Sequence, residues 1–147
     1  MSAKIIDGRA VAARVREEVA AEVAQLGELT GQRPGLATIL VGDDPASAIY
    51  VANKRKACAE VGIADRHRHL PAEASEAEIA AVIDESNADQ AINGILLQLP
   101  LPPGRDAAAL TGRIAPEKDV DGLTPISAGR LSQGTPGLRP KPPRFYR

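Results

Sequence analysis

The spacing of apolar positions divides the chain into alternating helical and extended stretches. Val11, Val15, Val19, Val23 and Leu26 recur at helical spacing, with alanines between them, and predict an amphipathic helix from Gly8 to about Leu29. Ahead of it, Ile5–Asp7 is a short opening segment, and behind it Thr30 to Pro34 is a polar loop. Leu36–Val41 (LATILV) is a short apolar run with β-branched residues, bounded by Pro34-Gly35 and Gly42-Asp43, and reads as a buried strand. Pro45 to Gly62 reads as one helix, with Asp44 as N-cap, Pro45 at the first helical position and Gly62 as the stop. Ala64–Leu70 (ADRHRHL) is a second, more polar strand. Ser75 opens the next helix, with Glu78 placed three residues on for a capping box, and Ile79, Val82 and Ile83 carry it to about Asn87. Gly94–Leu99 (GILLQL) is the most apolar strand candidate and ends in PLPP, which cannot continue a ladder. A short helix near Asp106–Leu110, the loop PEKDVDGLTP and a Gly-rich end complete the pattern.

Strand, helix, strand, helix, strand is the order of a parallel sheet with crossover helices, so the fold class is α/β, a three-layer unit with a mainly parallel sheet flanked by helices. Leu36–Val41 and Gly94–Leu99 are expected as adjacent or near-adjacent parallel strands. Ligands of such sheets bind beyond the carboxyl ends of the strands. The carboxyl end of Leu36–Val41 runs through VGDDP into the Pro45 helix, and that of Gly94–Leu99 carries Gln98. Both ends open on the same rim.

On a helical wheel, Ser47, Tyr50, Lys54, Ala57, Cys58 and Val61 share one face of the Pro45 helix. Lys54 then sits in a largely apolar stripe, one turn from Tyr50. An ammonium and a phenol on an inward face suggest a pocket; a lysine reaching from the edge of the stripe into water is the plainer alternative. Gln98, set among ILLQLPLP, is a buried amide that must find partners, whether structural ones or a ligand. Asp119 and Asp121 alternate around Val120 and point to opposite sides of an extended segment, so that one faces a pocket and the other caps a turn with Gly122. A solvated acidic loop is the other reading. His67 and His69, flanked by Arg66 and Arg68, fit a solvated strand face better than a metal site, because no third ligand is near.

Composition narrows the partners. At 147 residues one domain is expected. Aromatics are confined to Tyr50, Phe145 and Tyr146, so the core does not rely on them and Tyr50 is free for a ligand. The lone Cys58 permits no internal disulfide and suits a reducing compartment. No apolar run is long enough to span a membrane and no signal-peptide pattern is present, which points to a cytoplasmic protein without a membrane partner. Net charge is −1, yet the chain from Gly122 onward carries +5 and no acid, against −6 for the rest. That basic end lacks the density and interleaved aromatics of a nucleic-acid site, so no nucleic-acid partner is expected.

Three stretches together carry a resemblance. VGDDPASAIYVANKRKACAEVGI, GILLQLPLP and PEKDVDGLTPISAGRL resemble the successive signatures of the bifunctional methylenetetrahydrofolate dehydrogenase/methenyltetrahydrofolate cyclohydrolase (FolD) family, over nearly the whole chain from IIDG to Arg139-Pro140. The resemblance implies the folate-binding, catalytic N-terminal domain of an enzyme of one-carbon metabolism. Such an enzyme oxidises 5,10-methylenetetrahydrofolate with NADP and hydrolyses the methenyl product to 10-formyltetrahydrofolate. It implies that Lys54 is the catalytic lysine and that Tyr50 stacks on the folate. Gln98 would hold the lysine near the reacting centre, and Asp121 would recognise the pterin ring. Leu97 and Leu99 would supply backbone contacts to substrate, with Ser47 near the lysine. It further implies tetrahydrofolate derivatives as partners and a homodimer for the full-length family.

After LRP the family continues into a second, Rossmann-type domain for the dinucleotide, whereas here the sequence reads KPPRFYR. Residues 1–140 are therefore read as the folate-binding catalytic domain without its returning C-terminal helix, and 141–147 as a tail unlike the family. No glycine fingerprint follows a strand, so NADP is not expected to bind this chain and dehydrogenase activity is not expected of it. A folate-binding module without turnover, or an inactive fragment, are the alternatives.

Overall fold

β1 (Gly35–Val41) is the centre of the molecule because both of its faces are apolar: Ala37, Ile39 and Val41 are buried on one, Leu40 on the other. The structure, a computed structural model, describes residues 7–137. Around β1 are arranged α1 (Gly8–Thr30), α2 (Pro45–Glu60), β2 (Ala64–Asp65), β3 (Arg68–Leu70), α3 (Glu76–Ala88), β4 (Gly94–Leu97), α4 (Ala107–Gly112) and α5 (Pro125–Gln133). β1 pairs in parallel with β2, β3 and β4, giving one four-stranded sheet. The two apolar strands expected to be parallel neighbours are so, in the register Ala37 opposite Ile95 and Ile39 opposite Leu97. These four join Ile79, Ile83, Leu110 and Ile114 in the core between the sheet and α3 and α4, while α2 packs on the other side against β1 and β2. Ile39, Ile79, Ile83 and Ile95 are fully buried, and each contributes about 1.5–3 kcal/mol of transfer free energy.

Local chemistry sets the helix starts. Asp44 accepts from the Ser47 N–H at 2.8 Å with Pro45 following it, and the Ser75/Glu78 capping box forms in full. Asp106 and Thr124 cap α4 and α5 in the same way. These bonds satisfy N–H groups that have no partner within a helix.

Several expectations need correction. Ala64–Leu70 is not continuous: it breaks at Arg66–His67 into β2 and β3. Both pieces keep one offset to β1, with Gly35 opposite Ala64 and Ile39 opposite Arg68. The Leu36 carbonyl accepts from Arg66 N–H, whereas those of Gly35 and Ile39 point to the other edge, toward Asn93 and Gln98. β2 and β3 are thus halves of one edge strand. At the break, the His67 ring places Nδ1 3.0 Å from both the carbonyl oxygen and Oγ1 of Thr38. The Gly94 strand ends at Leu97 rather than Leu99, two residues before a cis Leu99–Pro100 peptide. The Gly-rich end contains α5, which Thr124-Pro125 start and Gly134, at φ 67°, stops.

The inward face of α2 holds as expected at Ser47, Lys54, Ala57 and Cys58, and at Val61 just past its end, but takes Val51 in place of Tyr50. Ser47 and Val51 are its buried residues, Lys54 is half-buried, and Tyr50 is 55% exposed. α1 buries no residue fully, and Val15 and Leu26 stay exposed along the face where the pattern placed a core stripe. Among the described residues, no helix is long and apolar enough to cross a membrane. The proposed boundary at residue 140, the tail 141–147 and most of the opening segment lie outside the described residues.

Candidate functional site

A cleft of about 170 Å³ opens at the carboxyl rim of the sheet. Three separate parts of the chain line it. α2 supplies Tyr50 and Lys54, the end of β4 supplies Leu97, Gln98 and Leu99, and the turn before α5 supplies Asp121 and Leu123. The rim forms because β1 and β4 run in parallel, so that the turn leading to α2 and the Gln98 segment emerge side by side. Gln98 N–H still donates to the Ile39 carbonyl at 2.8 Å, which ties the strand end to β1.

Within the cleft, Lys54 Nζ lies over the Tyr50 ring, 4.4 Å from its centroid, in cation–π geometry. Gln98 Nε2 donates to the Leu99 carbonyl at 2.6 Å, which orients the amide and leaves its Oε1 available as an acceptor. No Lys54–Gln98 hydrogen bond forms among the described residues. Ser47 is buried in the first turn of α2 and does not line the cleft. Six of the seven residues that the resemblance assigns to a site thus line one cleft.

Asp119 and Asp121 divide as their alternation suggests. Asp121 lines the cleft, while Asp119 is 1% exposed and turned away from it. Asp119 Oδ1 accepts from Leu123 N–H at 3.2 Å and Oδ2 from Thr124 N–H at 2.8 Å. Burial alone pushes its carboxyl up. The Thr124 N–H, the Ser127 and Thr124 hydroxyls and the Leu123 N–H outweigh that and hold it below the usual aspartate range. The preceding residue, Lys118, spends its three donors on the carbonyls of Ser86, Asn87 and Asp89 at the end of α3. Sequence reasoning missed Leu123, because it reaches the cleft through the turn at Gly122, which an extended pattern does not anticipate.

The remaining candidates have structural partners. His69 Nε2 lies 3.0 Å from the Gly42 carbonyl, and burial pushes the Cys58 thiol up, with Asp65 adding to it. No group of three or more His, Cys, Asp or Glu side chains able to hold a metal occurs among the described residues. Larger hollows lie away from this rim, two of about 430 and 480 Å³ near the amino ends of the strands and one of about 260 Å³ between α1 and α2. The first two are lined by α1, Gln32 and Arg33, or by Arg33, Arg66 and Asp89, and the third by Arg16, Asn53, Lys56 and Glu60; none includes an aromatic ring or a residue from the carboxyl end of β1 or β4.

The described residues do not fit a dinucleotide. A pyrophosphate needs open backbone N–H groups at a helix start after a strand. After β1, that position is taken by the Asp44 carboxylate with Asp43 beside it, and α3, α4 and α5 start on their own side-chain caps.

Comparison with known proteins bears on this geometry. Residues 6–121 match the model of the tetrahydrofolate dehydrogenase/cyclohydrolase catalytic domain. The chain is 63% identical to the bifunctional protein FolD 2 of Frankia alni over 143 residues, 97% of this chain and 50% of that relative. The crystal structure of the bifunctional FolD enzyme of Campylobacter jejuni superposes with a TM-score of 0.86 at 41% identity, covering 90% of this chain and 47% of that one. The Trypanosoma brucei FolD enzyme, complexed with NADP cofactor and inhibitor, superposes with a TM-score of 0.85 at 41% identity, covering 89% and 45%. The chain therefore spans about half the length of the curated relatives it matches. The matched span takes in β1, α2, β4 and Asp121, every element that lines the cleft except Leu123, and on these grounds the chain belongs to the tetrahydrofolate dehydrogenase/cyclohydrolase family.

Proposed function

We propose that this chain is the folate-binding catalytic domain of an enzyme that oxidises 5,10-methylenetetrahydrofolate with NADP and hydrolyses the resulting 5,10-methenyltetrahydrofolate to 10-formyltetrahydrofolate. The observation that carries the reading is the convergence of Tyr50, Lys54, Gln98 and Asp121, from three distant parts of the chain, on one cleft. An ammonium, an amide, a carboxylate and an open aromatic face are what a folate asks for. The exposed Tyr50 ring offers a stacking surface. The Asp121 carboxylate accepts the paired N–H groups of a pterin edge. Lys54 and Gln98 stand where the one-carbon bridge would lie.

Hydrolysis of the methenyl group needs water to add at the bridging carbon and lose a proton, and the carbon–nitrogen bond to open as nitrogen gains one. A single amine held over the bridge can accept the first proton and return the second. Gln98, fixed through Leu99, has its Oε1 open to accept from that amine once substrate draws the two together, without adding charge. Because the residues described here do not fit a dinucleotide, the hydride-transfer step is assigned to groups other than these. Assayed alone, the 147 residues are expected to bind folates, to hydrolyse 5,10-methenyltetrahydrofolate weakly and to show no NADP-dependent oxidation.

Titration with folic acid and with NADP, followed by assays of both reactions, tests this reading. Folic acid binding that Asp121→Ala and Tyr50→Ala each weaken is the expected result. Tight NADP binding by these residues alone, or folic acid binding indifferent to all four cleft side chains, would overturn it.

A further inference from the structure

We propose that Asp119, which does not line the cleft, is the positioning residue that aims Asp121 into it. The proposal rests on the folate-site reading above and deepens it. Asp119 is the most deeply buried carboxylate among the described residues, and both of its oxygens are engaged. They grip consecutive backbone N–H groups, Leu123 at 3.2 Å and Thr124 at 2.8 Å, which closes a loop over Val120, Asp121 and Gly122. Gly122, at φ 66°, lets the chain reverse inside that loop, and its N–H donates to the Asp119 carbonyl at 3.2 Å.

The loop is anchored on both sides of Asp119. Ile95 N–H donates to the Lys118 carbonyl at 2.7 Å, and Ile95 and Asp119 form a parallel bridge, so the segment rides on the free edge of β4. On the far side, the Thr124 hydroxyl donates to Ser127 Oγ and accepts from the Ser127 N–H, which joins the loop to the start of α5. Asp119 is thus the point at which the sheet edge, the cleft-lining turn and α5 meet. A carboxylate suits the task because it accepts from two amides at once at a fixed separation, and its side chain has few rotamers to lose.

The test is a double-mutant cycle read by folic acid affinity, measured well below the melting temperature so that only folded protein is counted. Asp119→Asn retains the shape but turns an amino group toward one of the two N–H donors. It is expected to raise the folic acid Kd by about 10–100-fold, the scale of a misplaced contact. In an Asp121→Ala background it is expected to change Kd by less than about twofold, because its effect runs through Asp121. An equal loss in both backgrounds, or no loss in either, overturns the proposal. Ser127→Ala, which leaves both Asp119–amide bonds in place, is a milder second variant and is expected to act in the same direction through Asp121. A crystal structure of the Asp119→Asn chain decides the matter without any ligand: an Asp121 carboxylate displaced from the cleft supports the proposal, and one left in place refutes it. Failure of the unaltered chain to bind folic acid would count against the folate-site reading alone, and the Asp121 position would still decide this one.

Discussion

Gly94 lies directly beneath Val120. A Cβ built on Gly94 would stand 2.6 Å from Val120 Cγ1 and 3.2 Å from Leu36 Cδ1. Val120 sits between the two aspartates, so the absence of a side chain at the start of β4 lets the loop close onto the sheet. Val is β-branched and has little rotamer freedom with which to retreat.

Gly94→Ala is therefore expected to destabilise the chain by about 1–3 kcal/mol through overpacking. Val120→Ala in the same chain should recover much of that loss, because it removes the opposing methyl. Urea unfolding of the two single variants and the double variant measures the coupling; simple additivity would show that the contact is not the cause.

Lys54 is the group expected to carry protons in hydrolysis. Placed in a chain of the relatives' full length, Lys54→Met should lower cyclohydrolase turnover by about 10²–10⁴-fold, the range for loss of a positioned acid–base group. The absorbance decay of 5,10-methenyltetrahydrofolate, followed in single turnover, is the readout. Retained hydrolysis would remove Lys54 from the mechanism.

Lys118 should matter for stability rather than chemistry. Its amine donates to Ser86, Asn87 and Asp89 carbonyls at 3.1, 2.7 and 2.8 Å, a charged cap on the negative end of α3. Lys118→Met leaves those carbonyls without that donor and is expected to cost about 1.5–3 kcal/mol. Urea unfolding measures it, and amide exchange in the last turn of α3 should quicken in parallel.

His67 predicts a pH dependence. Burial first, then the Arg55 guanidinium, hold its ring below the usual histidine range; the Thr38 carbonyl and Asp65 oppose this, and His69 adds slightly to it. The folded chain therefore prefers the neutral ring. Between the folded and the ordinary value, the unfolded chain binds more protons, so stability rises with pH across that window. It is lost as pH falls from about 6.5 toward the depressed folded value. Urea unfolding between pH 7 and 5 should show this slope, and His67→Gln should flatten it. An unchanged slope in the variant would assign the dependence to other groups.

Much of this molecule is written in short-range chemistry. Asp44-Pro45 and Ser75 with Glu78 start helices through bonds spanning three residues, so the sequence alone located α2 and α3. The apolar runs at Leu36 and Gly94 are legible as strands because a strand buried on both faces has no polar positions to spare. Their parallel pairing followed from the crossover order. The three stretches that mark the family are likewise local strings.

Tertiary structure decided what depends on partners distant in sequence. The edge strand breaks between Asp65 and Arg68, where the His67 ring meets Thr38, 29 residues away, a contact no periodicity encodes. Val51 rather than Tyr50 joins the inward face of α2, because the direction from which β1 meets the helix fixes its rotation, and a wheel cannot supply that direction. The alternation of Asp119 and Asp121 showed that one would turn inward, but not which. The sheet edge at Ile95 and the amides of Leu123 and Thr124 made that choice, burying Asp119 and leaving Asp121 to the cleft.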